Sequence, residues 1–114
     1  METLPLAAAA MMGLDVSAAV ILNFAGNFER NVVRYDCGQA EPLTVDYVNA
    51  APNFLAIVPI EGHKLVFVTV LSASGARYAA GEYEWWTKGD EATLSNLTTP
   101  DAAPLTCMAI NETP

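Results

Sequence analysis

Short apolar segments separated by turn residues follow one another from residue 27 onward, which is typical of an all-β protein. Residues 43–47 alternate between apolar odd-numbered and polar even-numbered positions, as a half-exposed strand does. Two apolar runs, at residues 54–58 and 65–71, flank a turn at residues 61–64. This arrangement predicts a central β-hairpin.

The other segments predict further strands. Residues 31–36 are expected to form the first strand after residue 26 and residues 105–110 the last strand. Residues 83–87 and 91–94 flank a turn in which Gly89 supplies a positive φ. Hairpin connections throughout indicate an antiparallel sandwich or a closed barrel, and closure removes exposed strand edges. We therefore predict an all-β fold, a small antiparallel β-barrel of about eight strands.

The first 26 residues differ in composition from the rest, and we expect an N-terminal arm at residues 1–26 and a barrel domain at residues 27–114. Within the arm, residues 6–12 contain good helix formers, whereas residues 18–24 are bulky and β-branched and predict a strand. Proline, glycine, aspartate and serine interrupt its apolar stretch, so no membrane span is expected. The arm is expected either to pack on the domain or to mediate a homodimer.

Composition narrows the possible functions. The chain has 114 residues, 53% hydrophobic and 16% charged, enough for one core and too apolar to remain disordered. A formal net charge of -8 repels phosphate groups, so nucleic acid is not expected as a partner. The same charge favours encounter with a basic protein. The first basic residue is Arg30, so no signal peptide is visible, and we expect a mature or trimmed chain.

The two cysteines, Cys37 and Cys107, have no Cys-x-x-Cys spacing and only one histidine to accompany them, so no metal site is expected. We expect a disulfide between them, with two buried free thiols in a cytosolic protein as the alternative. A disulfide would close a long loop, which is worth roughly 4 kcal/mol in the chain-entropy model. It would also imply an oxidising compartment.

The chain lacks the usual residues of an active site. Its single histidine, His63, lies in a turn on the far side of a long strand from Ser74, which argues against nucleophilic catalysis. Asp90 and Glu91 are adjacent, so in a strand their carboxylates point to opposite faces. No phosphate-binding, dinucleotide-binding or calcium-binding loop occurs. We expect a protein that is not an enzyme and that needs no cofactor.

Two neighbouring motifs carry the most specific signal. Residues 74–78 have the sequence SGARY, in which the glycine lets a loop present Ser74 at its tip, and residues 83–89 have the sequence YEWWTKG, in which aromatic rings support a strand that ends in Lys88. These motifs resemble the Ser-Gly-x-x-Tyr and Tyr-x-x-Trp-x-Lys-Gly signatures of the bacterial inhibitors of c-type lysozyme, a family with membrane-bound and periplasmic branches. Weaker similarity extends from Tyr35 to Cys107, and residues 1–30 have no counterpart.

The resemblance implies a β-barrel of about eight strands, a location in the periplasm, and c-type lysozyme as the partner. It also implies that Ser74 and Lys88 enter the lysozyme cleft. Tyr78, Tyr83 and Trp86 are expected chiefly to support the loops, and Arg77 and Trp85 to reach the surface. The predicted partner-binding set is Ser74, Gly75, Arg77, Tyr78, Trp85, Lys88 and Gly89. The alternative function is a small apolar-ligand-binding or structural β-barrel of the cell envelope.

Overall fold

Alternating and apolar segments of the sequence build eight antiparallel strands in the computed structural model, which describes residues 19–111. The strands are β1 (Glu29–Asp36), β2 (Leu43–Ala50), β3 (Asn53–Ile60), β4 (His63–Val70), β5 (Ala76–Ala80), β6 (Tyr83–Lys88), β7 (Glu91–Asn96) and β8 (Leu105–Ala109). Each strand pairs with its neighbours in sequence, and β1 pairs with β8, which closes the barrel. The predicted all-β class and closed barrel are confirmed. Within the described part of the chain, no helix has the length and apolar character to cross a membrane.

The closure between β1 and β8 is short and is reinforced covalently. Two residue pairs, Tyr35 with Ala109 and Asp36 with Met108, join the strands. Cys37, which directly follows β1, forms a disulfide with Cys107 in β8. The predicted disulfide is therefore confirmed over the alternative of free thiols, and it ties the first strand to the last where the backbone pairing is weakest.

The barrel interior is a packed core to which every strand contributes. Its largest fully buried side chains are Trp85, Phe67, Val45, Val58 and Cys107. A polar link crosses this core, because Trp85 Nε1 donates to Tyr47 Oη at 2.9 Å and the hydroxyls of Tyr47 and Tyr35 share a hydrogen bond of 2.7 Å. Burial raises the pKa of Tyr47 well above its usual range.

Three local expectations have different outcomes. The strand predicted at residues 18–24 is wrong over its described part, because residues 19–24 form no strand; four of them, Val20, Leu22, Asn23 and Phe24, line a groove on the outer side of the barrel. The helix predicted at residues 6–12 lies outside the described residues. The β5 strand was not predicted, since three of its five residues are alanine and its extended backbone depends on pairing with β4 and β6.

Candidate binding site

The strand topology brings the two sequence motifs to one end of the barrel. The first motif begins in the loop between β4 and β5 and continues into β5, whereas the second occupies β6 and the turn that follows. Strands β5 and β6 are antiparallel, with Ala76 opposite Thr87, so the start of β5 lies beside the end of β6. Ser74 and Lys88, which are 14 positions apart in sequence, therefore project from neighbouring positions.

The loop that carries Ser74 is fixed through its backbone. The Ser74 carbonyl oxygen accepts one hydrogen bond from Ser72 Oγ at 2.5 Å and another from Trp86 Nε1 at 2.9 Å. The Ser74 side chain is exposed, and its hydroxyl has no hydrogen-bond partner among residues 19–111. The loop is thus held in place while the Ser74 hydroxyl is free to bind another molecule.

Gly75 allows the loop to lie this close to β6. Its φ of 67° falls in the left-handed region that side chains other than glycine disfavour. A Cβ atom here would lie 2.7 Å from Lys88 Cγ and 3.1 Å from Trp86 Nε1, and it would overlap the Thr87 carbonyl oxygen. The contact between the Ser74 loop and the Lys88 side chain therefore depends on a glycine at this position.

Trp86 lies between two cations on the outer face of the barrel. The Lys88 ammonium nitrogen is 4.0 Å from the centroid of the Trp86 ring, and Arg77 Cζ is 4.1 Å from it. The three side chains share one face because Arg77 pairs with Trp86 across the strands and Lys88 follows two residues later. Arg77 Nε is also 3.5 Å from Glu84 Oε2, so the guanidinium is held by both a carboxylate and a ring.

The structure separates the predicted site residues into an exposed and a buried set. Ser74, Gly75, Lys88 and Gly89 are exposed, and Arg77 is partly exposed. Trp85 has no exposed surface and points into the core, so the expectation that it reaches the surface is wrong. Tyr78, also in the predicted partner-binding set, is buried in the core with 7% of its surface exposed and contacts the Tyr47 ring.

Trp86 was assigned only a supporting role from sequence, yet it contacts both exposed motif residues. The signal that identifies it is the two-residue alternation of a strand: the exposed Lys88 predicts that Trp86 and Glu84 share its outer face. By the same alternation, Trp85 belongs with the inward residues Tyr83 and Thr87. Alternation within β6 therefore distinguishes the two tryptophans.

Two outer grooves of equal volume differ in chemistry. A groove of about 360 Å³ on β6 and β7 borders Lys88 and includes Trp86 and the carboxylates of Glu84 and Glu91. Another groove of about 360 Å³ lies between the arm and β2 to β4 and is largely apolar. No cluster of three or more His, Cys, Asp or Glu side chains suited to a metal ion occurs within residues 19–111. The first groove is therefore bordered by charged groups of both signs, whereas valine, leucine, isoleucine and phenylalanine side chains line most of the second.

Comparison with known proteins identifies relatives of this chain. A family model described as "Membrane-bound lysozyme-inhibitor of c-type lysozyme" matches residues 35–103. Proteins named membrane-bound lysozyme inhibitor of C-type lysozyme are similar to it: one from Pseudomonas aeruginosa is 56% identical over 63 residues, 54% of this chain and 50% of the relative. One from Cupriavidus necator is 51% identical over 65 residues, 57% of this chain and 52% of the relative. The chain thus spans about half the length of these relatives.

A solved structure is also similar. Pseudomonas aeruginosa MliC, crystallised in complex with hen egg white lysozyme, superimposes with a TM-score of 0.70 at 38% identity and covers 85% of this chain and 99% of that chain. The relatives are named inhibitors and not enzymes, in agreement with the prediction from sequence. The family model spans more than half of the sequence, including both motifs and seven of the eight strands at least in part. The chain belongs to the family of membrane-bound lysozyme inhibitors of c-type lysozyme.

Proposed function

We propose that this protein inhibits c-type lysozyme by inserting the Ser74 loop and Lys88 into the active-site cleft of the enzyme, which protects bacterial peptidoglycan. The observation that carries the proposal is the junction of the two motifs, where Trp86 contacts both the Ser74 carbonyl and the Lys88 ammonium. Family membership supports it, as does the similarity to a chain crystallised with hen egg white lysozyme.

The exposed groups match the chemistry of the proposed target. A c-type lysozyme cleaves glycosidic bonds with two carboxyl groups, one protonated as a general acid and one ionised. The Ser74 hydroxyl can donate to or accept from a protonated carboxyl group, and the Lys88 ammonium pairs with a carboxylate. Together the two side chains address both catalytic groups of the enzyme.

Charge and compartment are consistent with this role. The net charge of -8 favours encounter with a basic enzyme through long-range attraction. We also propose a periplasmic location, which the Cys37–Cys107 disulfide supports because such bonds persist in oxidising compartments. The alternative of an apolar-ligand barrel is less favoured, because side chains such as Phe67 and Trp85 fill the barrel interior.

Substitution of the two exposed residues tests the proposal in a cell-wall lysis assay. Lys88→Ala is expected to weaken inhibition by at least about thirtyfold, because the substitution leaves a buried carboxylate without a partner. Ser74→Ala is expected to weaken it by about fivefold to a hundredfold through lost hydrogen bonds. Melting temperatures should stay unchanged, since both side chains are exposed.

The other lysine of the chain provides a matched control. Lys64 is also exposed, but it lies on β4 away from the motifs, so Lys64→Ala should inhibit lysozyme as well as the unsubstituted protein. Equal losses in Lys64→Ala and Lys88→Ala would show that general positive charge matters and not insertion. Failure of the unsubstituted protein to slow lysis at micromolar concentration would contradict the proposed function.

A further inference from the structure

We propose that Trp86 is a positioning residue that orders Ser74 and Lys88 before a partner binds. Its indole N–H holds the Ser74 peptide, and its ring face holds the Lys88 ammonium. The inference rests on the proposed function, because Ser74 and Lys88 are the groups that would bind the enzyme. Contacts with a single tryptophan would explain why Ser74 and Lys88, which come from separate segments, are held in one fixed arrangement.

Trp86 is placed to act on the site more than on the fold. It is half-buried on the outer face of β6 and is not part of the core cluster, in which Trp85 supplies the large buried ring. Its side chain contacts the Ser74 carbonyl, the Lys88 ammonium and the Arg77 guanidinium. Replacing Trp86 therefore changes the arrangement of exposed groups while the barrel core remains packed.

Arg77 holds the tryptophan in turn. Its guanidinium lies 4.1 Å from the Trp86 ring centroid, and its Nε is 3.5 Å from Glu84 Oε2. Arg77 and Trp86 are cross-strand partners, and Glu84 precedes Trp86 by two residues on the same face. A chain of contacts thus runs from Glu84 through Arg77 to Trp86 and ends at the two groups that meet the partner.

Ordering in the free protein increases affinity. Lysine has a long, flexible side chain, and immobilising such a side chain on binding weakens affinity by roughly twofold to tenfold. The cation–π contact with Trp86 restricts Lys88 beforehand, and the hydrogen bond to the Ser74 carbonyl restricts the loop. The structure assigns both effects to one indole, whose N–H and ring face can be removed separately.

Two substitutions separate these effects. Trp86→Phe keeps an aromatic face for Lys88 but removes the N–H donor, whereas Trp86→Leu removes both. In the free protein, nuclear magnetic resonance should show faster motion of the Gly75 amide in both variants. The upfield ring-current shift of the Lys88 methylene protons should persist in Trp86→Phe and disappear in Trp86→Leu. Inhibition is expected to weaken about threefold to tenfold in Trp86→Phe and further in Trp86→Leu.

A double-mutant comparison distinguishes positioning from direct contact with the enzyme. If Trp86 acts through Lys88, the factor lost on Trp86→Leu should be smaller in a Lys88→Ala background than in the unsubstituted one. An equal factor in both backgrounds would mean that Trp86 acts independently of Lys88, which overturns the part of the inference that concerns Lys88. If Trp86→Leu does not fold, Trp86→Phe decides through the Gly75 amide and the inhibition assay.

Failure of this inference can be told from failure of the proposed function. Unchanged Gly75 motion and an unchanged Lys88 shift in Trp86→Leu would overturn the positioning role, whatever the protein does to lysozyme. Absence of inhibition by the unsubstituted protein would overturn the proposed function. It would also overturn the idea that Trp86 orders Ser74 and Lys88 for binding to lysozyme. Ordering lost in the free variants, together with weaker inhibition, supports both.

Discussion

Two outer faces of the barrel are built in opposite ways. The motif face, the outer side of β5 to β7 with the Ser74 loop at its end, carries Arg77, Trp86 and Lys88 joined by short directional contacts. The apolar face, formed by Val48 of β2, Leu55 and Ile57 of β3 and Val66 of β4 with residues 20–28 beside them, carries exposed side chains such as Val66, which is 53% exposed. Directional contacts fix a geometry, whereas apolar contacts tolerate many arrangements. The proposed insertion of Ser74 and Lys88 therefore relies on the face whose side chains are held in a fixed geometry.

Alkaline pH should have the largest effect, because it acts on the core beneath both faces. Burial raises the pKa values of Tyr35, Tyr47 and Tyr78. Below a pH of about 10 these phenols are protonated in the folded and unfolded chains alike. Above it the unfolded chain loses its phenol protons first, so the free energy of unfolding falls by up to about 1.4 kcal/mol per pH unit for each tyrosine.

Denaturant titrations between pH 8 and pH 11, followed by tryptophan fluorescence, measure this loss. Above a pH of about 10, Tyr47→Phe should make the free energy of unfolding fall less steeply with pH, by the contribution of one tyrosine. The variant is nevertheless less stable at neutral pH, because Trp85 Nε1 loses its acceptor. Tyr47 lies in β2 beneath the apolar face and Tyr78 in β5 beneath the motif face. Stability that does not change up to pH 11 would contradict a shared tyrosine core.

Gly75→Ala should disrupt the motif face alone. The added methyl group would collide with β6 and favour a different φ, so the Ser74 loop must move away from Lys88. We expect inhibition to weaken by about a hundredfold, comparable to the loss of a charged contact. The measurement is the lysis assay, combined with calorimetry to confirm that the barrel still unfolds cooperatively.

Gly81→Ala is the matched control for this substitution. Gly81 has a positive φ of 54°, but a Cβ atom there would meet nothing within 4 Å. Because alanine is strained in the left-handed conformation, the free energy of unfolding of this variant should fall by about 1 kcal/mol. Its inhibition of lysozyme should be normal. Similar losses of inhibition in both variants would show that backbone strain matters and not the collision with β6.

Sequence alternation predicts much of this molecule, including the inward positions Val45 and Tyr47 of β2, which are buried. It also contained the information that separates Trp86 from Trp85, since outward positions in β6 follow from Lys88. Sequence did not predict β5, because short alanine-rich strands form only where neighbouring strands supply pairing. The three contacts of Trp86 join segments through the barrel register, which no local pattern specifies.

The smallest effect on inhibition is expected from removing the arm, residues 1–26, which takes away part of the apolar face. In the described part of the arm, Val20 and Leu22 line the apolar groove on β2 to β4, whereas Lys88 borders the groove on β6 and β7, so inhibition should change by less than about twofold. Light scattering with gel filtration on the same pair of proteins tests the predicted homodimer. A full chain that is a dimer and a truncated chain that is a monomer would support dimerisation through the arm, whereas the same number of subunits in both proteins removes that idea. A large loss of inhibition would contradict the separation of the two faces, because the arm would then contribute to the geometry of the motif face.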